Sequence, residues 1–544
     1  MNKIKIFALG GLNEYGKNMY VVEVNEDIFV FEAGLKYADD KMLGIDYIIP
    51  NYDYLIENKN RIKGIFLSHG HDEQIGAIPD IKEDLKGVKI YGTKFTLDML
   101  KEDLDDTSDL VEIKPHKSIK FGECTIFPIT LTHNVPDNVG FVLNTKDGAI
   151  VYTSNFAFDP SMLGRYKTDI GKLAYIGKQG VLCLLSESPY ASRKGYTTPA
   201  HRTYNYINEI INTYDKRILF NIYTGQISRI QEILNSVMLT ERKIVILGKK
   251  LEKIILNGIE DGYIDFDKTR ISSIHQSKNE DVIILISDER EKPFSNIKRI
   301  VLGYDKFINL REDDTIVFAS PVYDGMEKTA TTIFDEIAKR DINLIILKAS
   351  EFPSMHASSE DLMLMLDLMK PKYYFPVIGE YRHQVDNASI AKQLGMKDEN
   401  IILALNGKVT TFIDGNLTET NEFIKADEIL VDGKLVGDVS EVVIKDREML
   451  GDNGIVLVIA SVDKATKKVI GGPEVISKGF IFGKDNLDLL NEANKMVSEI
   501  IKNNTKPFYI DYTKVRNEIR DKVGKYFYQE TESKPMILIM IEEI

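Results

Sequence analysis

The strongest constraint on the fold is a change of rhythm near residue 200. Before it, the chain is cut into short β-rich runs separated by glycine and acidic turns, at 3–9, 20–23, 28–32, 64–68, 88–91, 124–132, 140–143 and 149–153. That pattern predicts a layered, strand-rich α/β domain. From about 200 to 350, helical periods at 204–214 and 227–239 alternate with apolar strands at 217–222, 243–247, 282–287, 315–320 and 343–347, the mark of a parallel-sheet unit. An amphipathic helix at 359–369 and a strand at 373–378 follow, and turns with short strands around 414–434 read as a joint. The last hundred residues predict a strand at 454–462, a turn at Gly471-Gly472-Pro473, helices at 486–502 and 514–527, and a strand at 535–541, a compact βαβ-like end. With 544 residues, 43% of them hydrophobic, the chain exceeds what one core supports, so two to four domains are expected.

Composition excludes several classes. No uninterrupted apolar run approaches the roughly 20 residues of a membrane helix, and Gly10, Gly11, Asn13 and Glu14 interrupt the first apolar stretch too early for a signal peptide. Only Cys124 and Cys183 occur, which argues against a disulfide framework or a multi-cysteine zinc site and for the reducing cytoplasm. The net charge of -14 opposes non-specific attraction to polyphosphate, so a nucleic-acid role needs a local basic surface or a metal.

The stretch richest in chemistry is Gly64-Ile65-Phe66-Leu67-Ser68-His69-Gly70-His71-Asp72-Glu73-Gln74. An apolar strand runs into two histidines at i, i+2 on its carboxyl end, where open α/β sheets place ligands. Alone, such a pair reads equally as two loop histidines engaged in hydrogen bonds. The chain has only eight histidines, however, and His133 also follows an apolar strand. Three histidines at strand ends suit one zinc with an open position, which lowers the pKa of bound water to about 7.

The run around His69 resembles the metallo-β-lactamase signature His-x-His-x-Asp-His, and further segments resemble the ribonuclease J family over essentially the whole chain. These are 9–19 and 42–50 near the start, 356–362 and 370–382 in the middle, and 472–480 and 535–538 near the end. The resemblance implies a metallo-β-lactamase αββα sandwich with an inserted β-CASP α/β domain and a small C-terminal α/β domain. The corresponding segments are 1–200 and 356–425 for the lactamase domain, 201–355 for the insert, 426–440 for a linker and 441–544 for the terminal domain.

In that family seven side chains hold two zincs. Carried over residue by residue, His69, His71 and His133 are present, while the signature Asp and last His fall at Glu73 and Gln74, the bridging Asp at Asn155 and a further His at Ile378. Four of seven ligands are changed, and isoleucine cannot coordinate. Two zincs would repel each other with one carboxylate and no bridging anion between them, so at most one zinc per chain is expected. The alternative is that the three histidines are inherited packing that holds no metal. Glu73 is the group left to assist a slow hydrolysis.

The resemblance also implies catalytic roles for Glu187 and for His356, near the scissile phosphate. It places the substrate loop at Phe352, Pro353, Ser354, Met355 and His356, where Met355 replaces a glycine, and leaves Arg229 as a phosphate partner. Two readings follow. The favoured one is a weakly active or inactive subunit in RNA processing and decay that binds single-stranded RNA and an active ribonuclease J paralogue. The other is an active metal-dependent 5′-to-3′ exoribonuclease with endoribonuclease activity. Homo- or hetero-dimers and tetramers are implied by resemblance. A small-molecule hydrolase on the same fold is the remote third reading.

Overall fold

The computed structural model describes residues 2–38, 42–288, 294–320, 322, 326–348, 355–433, 435–437, 441–481, 486–506 and 509–544. The chain divides into two compact units, one of residues 1–37 and 47–429, the other of residues 38–46 and 430–544.

The first unit contains three large sheets. The first has eight strands in the spatial order Asn416–Thr418, Thr410–Ile413, Lys3–Gly10, Met19–Val24, Asp27–Phe31, Ile62–Phe66, Ile90–Gly92 and Leu110–Glu112. The second has six, ordered Tyr373–Val377, Val181–Glu187, Gly148–Tyr152, Val139–Thr145, Cys124–Thr130 and Ile119–Phe121. Phe31 and Phe66 from the first sheet meet Phe141 and Tyr152 from the second, with ring centroids 5.7 Å apart for Phe31–Phe141 and 5.8 Å for Phe31–Tyr152. Each such pair adds roughly 1 kcal/mol beyond simple area burial. The outer face of the second sheet is covered by the helices Ile170–Gln179 and Ser359–Met369, whose Leu173, Leu362, Met365 and Met369 are buried against Val142, Val151 and Leu184. This is a helix-on-sheet-on-sheet sandwich, as the resemblance implied.

The third sheet is wholly parallel, ordered Ile271–Ser272, Ile244–Leu247, Ile283–Asp288, Ile218–Tyr223, Thr315–Phe318 and Asn343–Ile346. Its strands are apolar on both faces, as required of a parallel sheet flanked by helices. It is an insert. After leaving it the chain returns to the sandwich, where Tyr373–Val377 pairs in parallel with Val181–Glu187 and Thr410–Ile413 pairs antiparallel with Lys3–Gly10. The insert begins at a central strand, Ile218–Tyr223, and later strands lie on both sides of it. Its carboxyl end is therefore near a topological switch point, where such sheets present loops to ligands.

In the second unit, Ile455–Val462 is the central strand between Val469–Lys478 and Met536–Glu543. Val456, Val458, Ala460 and Val462 pack one face against the helices Leu487–Asn504 and Tyr512–Thr531. The turn expected at Gly471-Gly472-Pro473 is not a turn. These residues lie inside an edge strand at a register shift, with Gly472 at φ +73°. Glycine and proline mark turns in sequence, but a bulged edge strand accepts both, because its outward amides need no partner. Among the described residues no helix is long and apolar enough to cross a membrane.

Candidate metal centre

Strand Ile62–Phe66 delivers Ser68, His69 and His71 to the rim of the first sheet, ahead of the short helix Asp72–Ile75. Gly70 between the histidines is needed for packing, since a Cβ there would lie 3.0 Å from Met99 Cγ. His133 follows Cys124–Thr130 of the second sheet. One ligand nitrogen from each of His69, His71 and His133 lies within 4.8 Å of the others.

The hydrogen bonds say which nitrogen faces inward. His71 Nε2 is 3.1 Å from the Gly225 carbonyl and His133 Nδ1 is 2.7 Å from the Met355 carbonyl. A carbonyl only accepts, so those nitrogens carry the protons and leave lone pairs on His71 Nδ1 and His133 Nε2. His69 Nδ1 is 2.8 Å from Ser68 Oγ, which leaves its Nε2 inward, 3.1 Å from His71 Nδ1. Two ligands of a tetrahedral zinc are about 3.3 Å apart for bonds near 2.0 Å, so this spacing suits a metal. His133 Nε2 is buried and accepts no hydrogen bond. Burial, then the charges of neighbouring histidines, holds His69 and His133 well below the usual imidazole range, keeping both in the neutral, ligating form. The outer partners that fix metal-bound histidines elsewhere are in place for all three rings. The residues fit a single metal ion.

The adjoining position is different. Gln74 Oε1 and Asn155 Oδ1 are buried with no hydrogen-bond partner, and both are uncharged. Asn155 sits between Ser154, whose Oγ is 2.7 Å from Ser68 Oγ, and Phe156, whose N–H donates to Glu187 Oε1 at 2.7 Å. Ile378 is 2% exposed and takes φ +56°, a left-handed conformation that a β-branched residue rarely adopts, with its N–H donating to the Gly11 carbonyl at 3.1 Å. Glu73 is buried on the helix after His71, and its carbonyl accepts from the Asn18 backbone and side-chain amides.

Glu187 and His356 are brought together beside the triad. Glu187 Oε2 lies 2.7 Å from His356 Nδ1, while Oε1 accepts from the Phe156 and Ala357 amides. The His356 ring is 5.2 Å from that of His133. Behind it, Asp361 accepts from the Phe158, Thr197 and Ser358 amides and caps the helix Ser359–Met369. Met355 joins the site through its carbonyl. Phe352, Pro353 and Ser354 lie outside the described residues. Arg229 is buried on the first turn of the helix Ile227–Met238 and turns onto Glu232, with Nε 3.3 Å from the carboxylate. Burial lowers the Arg229 guanidinium from its usual range and raises the Glu232 carboxyl to about 7. Sequence reasoning did not identify the carbonyls of Gly225 and Met355, which are backbone groups with no side-chain signal, or Ser68 and Ser154.

A two-sheet sandwich with histidines on its rim and a parallel insert reaching back to them is the architecture of a metallo-β-lactamase-type domain carrying a β-CASP insert. Comparison with known proteins agrees and narrows it. Residues 50–170 match the beta-lactamase superfamily domain, 215–337 the ribonuclease J beta-CASP domain and 442–544 the ribonuclease J C-terminal domain. The chain is similar to ribonuclease J2 of Bacillus subtilis, 35% identical over 99% of both chains, and to ribonuclease J 2 of Staphylococcus aureus, 33% identical over 99% of this chain and 98% of that one. A solved structure of a protein of unknown function from Enterococcus faecalis shares the fold, with a TM-score of 0.54 at 14% identity over 76% of this chain and all of the other. The chain belongs to the ribonuclease J family.

Proposed function

We propose that this chain is an RNA-binding subunit for RNA processing and decay, with weak or no nuclease activity of its own, paired with an active ribonuclease J paralogue. The observation that carries the reading is the asymmetry of the centre. One position offers three inward imidazole nitrogens, and the next offers two neutral amide oxygens and an isoleucine. A two-metal clamp on the attacking and leaving oxygens of a phosphodiester needs anionic ligands to hold its charge, and Glu73 alone supplies one.

Zinc, when bound to His69, His71 and His133, supplies Lewis acidity and a water pKa near 7. The chain's own residues do the rest. Ser68, Gly225 and Met355 hold the imidazoles in their ligating tautomers. Glu187 orients His356 through Nδ1, which leaves Nε2 to hold or give a proton at a phosphate oxygen. That intact pair favours the second reading, an active metal-dependent nuclease with 5′-to-3′ exonuclease and endonuclease activity.

The test is metal analysis and turnover on the full-length protein, dialysed against zinc or manganese and offered 5′-monophosphorylated single-stranded RNA. At most one metal per chain, RNA retention and little decay are expected. Two metals per chain with processive decay would overturn the subunit reading. Co-purification of a homologue carrying an intact His-x-His-x-Asp-His signature would support the pairing.

A further inference from the structure

A cavity of about 320 Å³ lies in the first unit, on the seam between the lactamase sandwich and its insert. One wall is the helix Lys94–Lys101 and the loop after it, and the other is the helix Lys249–Glu260 of the insert. Its floor is apolar, built from Phe95, Met99, Ile254 and Tyr263, with Phe95 and Tyr263 in edge contact at 5.1 Å. Two ion pairs bridge the walls, Lys253 to Glu102 at 2.7 Å and Lys94 to Asp261 at 2.9 Å. Lys249 and Lys250 stand exposed on the insert side.

One polar atom in this floor is unexplained. Tyr263 is 7% exposed and its Oη is buried with no hydrogen-bond partner. A buried hydroxyl without a partner is costly, and in a cavity it is a group awaiting one. The pocket therefore combines a flat apolar floor, a directed hydrogen-bonding group and lysines on one side. It lies at the small end of the size range for small-molecule sites, too small for an oligomer and suited to one nucleotide unit.

The floor also touches the loops that carry the metal-binding histidines. Met99 packs on Gly70, between His69 and His71. The Arg165 guanidinium lies 4.5 Å over the Tyr263 ring and donates to Asp137 at 2.8 Å, four residues after His133. An occupant wedged between the helices would be felt at all three histidines.

We propose that this seam is a binding site for a nucleoside 5′-monophosphate, base on the apolar floor against Tyr263 and phosphate toward Lys249 and Lys250, whose occupancy is sensed at the histidine triad. The site is separate from the metal centre and stands whether or not that centre cleaves RNA. The test is calorimetric titration of the full-length chain with AMP, adenosine and inorganic phosphate, with histidine ring resonances followed by NMR. AMP is expected to bind one per chain, adenosine about 10-fold more weakly, and phosphate alone not measurably. Tyr263→Phe should weaken AMP about 5-fold. Asn257→Trp, an exposed lining position filled by a large ring, should abolish both binding and the AMP-induced shifts of His69 and His71. His69→Ala should leave AMP binding intact. Loss of binding in His69→Ala, unchanged binding in Asn257→Trp, phosphate binding as tightly as AMP, or no AMP binding in the millimolar range would each overturn the proposal.

Discussion

The two halves of the centre are built on the same rim of the same sandwich, yet they are supported very differently. Around His69, His71 and His133, each ring has an outer partner: a hydroxyl, a carbonyl from the insert, and a carbonyl next to His356. Around Gln74, Asn155 and Ile378, the oxygens have no partner and the backbone of Ile378 keeps a left-handed conformation for which its side chain has no use. The backbone frame of a second site has outlasted its chemistry. Ligands can be lost singly by substitution, whereas the frame that aims them is shared with the fold and persists.

Breaking the retained half should have the largest effect. His133→Ala removes one of three ligands, and metal affinity should fall at least ~10³-fold, about 4 kcal/mol, read as metal per chain after dialysis.

The next effect concerns Glu32, buried behind Ser68, whose backbone N–H donates to it at 3.1 Å. Burial raises its carboxyl from 4.5 to about 8. A carboxyl raised in the fold binds its proton more tightly there than in the unfolded chain. Its stabilising contribution is complete below pH 4.5 and is lost as the pH rises through about 8. In metal-free protein, Glu32→Gln should therefore gain stability relative to the parent by on the order of 3 kcal/mol between pH 5.5 and 8. Thermal melts of both proteins across that range check it, and a pH-independent difference would show that Glu32 ionises normally.

Rebuilding the depleted half sharpens the contrast. The triple variant Gln74→His, Asn155→Asp, Ile378→His should bind a second metal and speed RNA decay by ~10²-fold, about 2.7 kcal/mol, the size of one transition-state electrostatic contact. Metal per chain that stays at one would show that the frame is no longer competent.

The smallest effect tests an outer partner. Ser68→Ala removes the group on His69 Nδ1, and metal affinity should drop about 10-fold without loss of fold.

Much of this was legible in order along the chain. The strand before His69, the strand before His133 and the change to a parallel unit near 200 all follow from local periodicity, and those elements form where that periodicity puts them. The partners of the histidines were not legible. Gly225 lies 154 residues from His71 and Met355 222 residues from His133, and each acts through a backbone carbonyl that every residue possesses. Arg229 shows a different limit. Its charge and position suggest a phosphate partner, but a glutamate one helical turn later holds it inside the protein. Gly471-Gly472-Pro473 failed for a third reason, since the residues that make turns also make bulges.

The carbonyl of Met355 on His133 also sets a clock. A ribosome adds about 5–20 residues each second, so the 222 residues between them take on the order of 20 s to appear. Throughout that interval the nascent chain displays its histidines without the group that fixes the third of them. A tight metal site is thus absent until the insert and the start of the returning sandwich have been made, and early capture of the wrong ion is disfavoured by the order of synthesis itself.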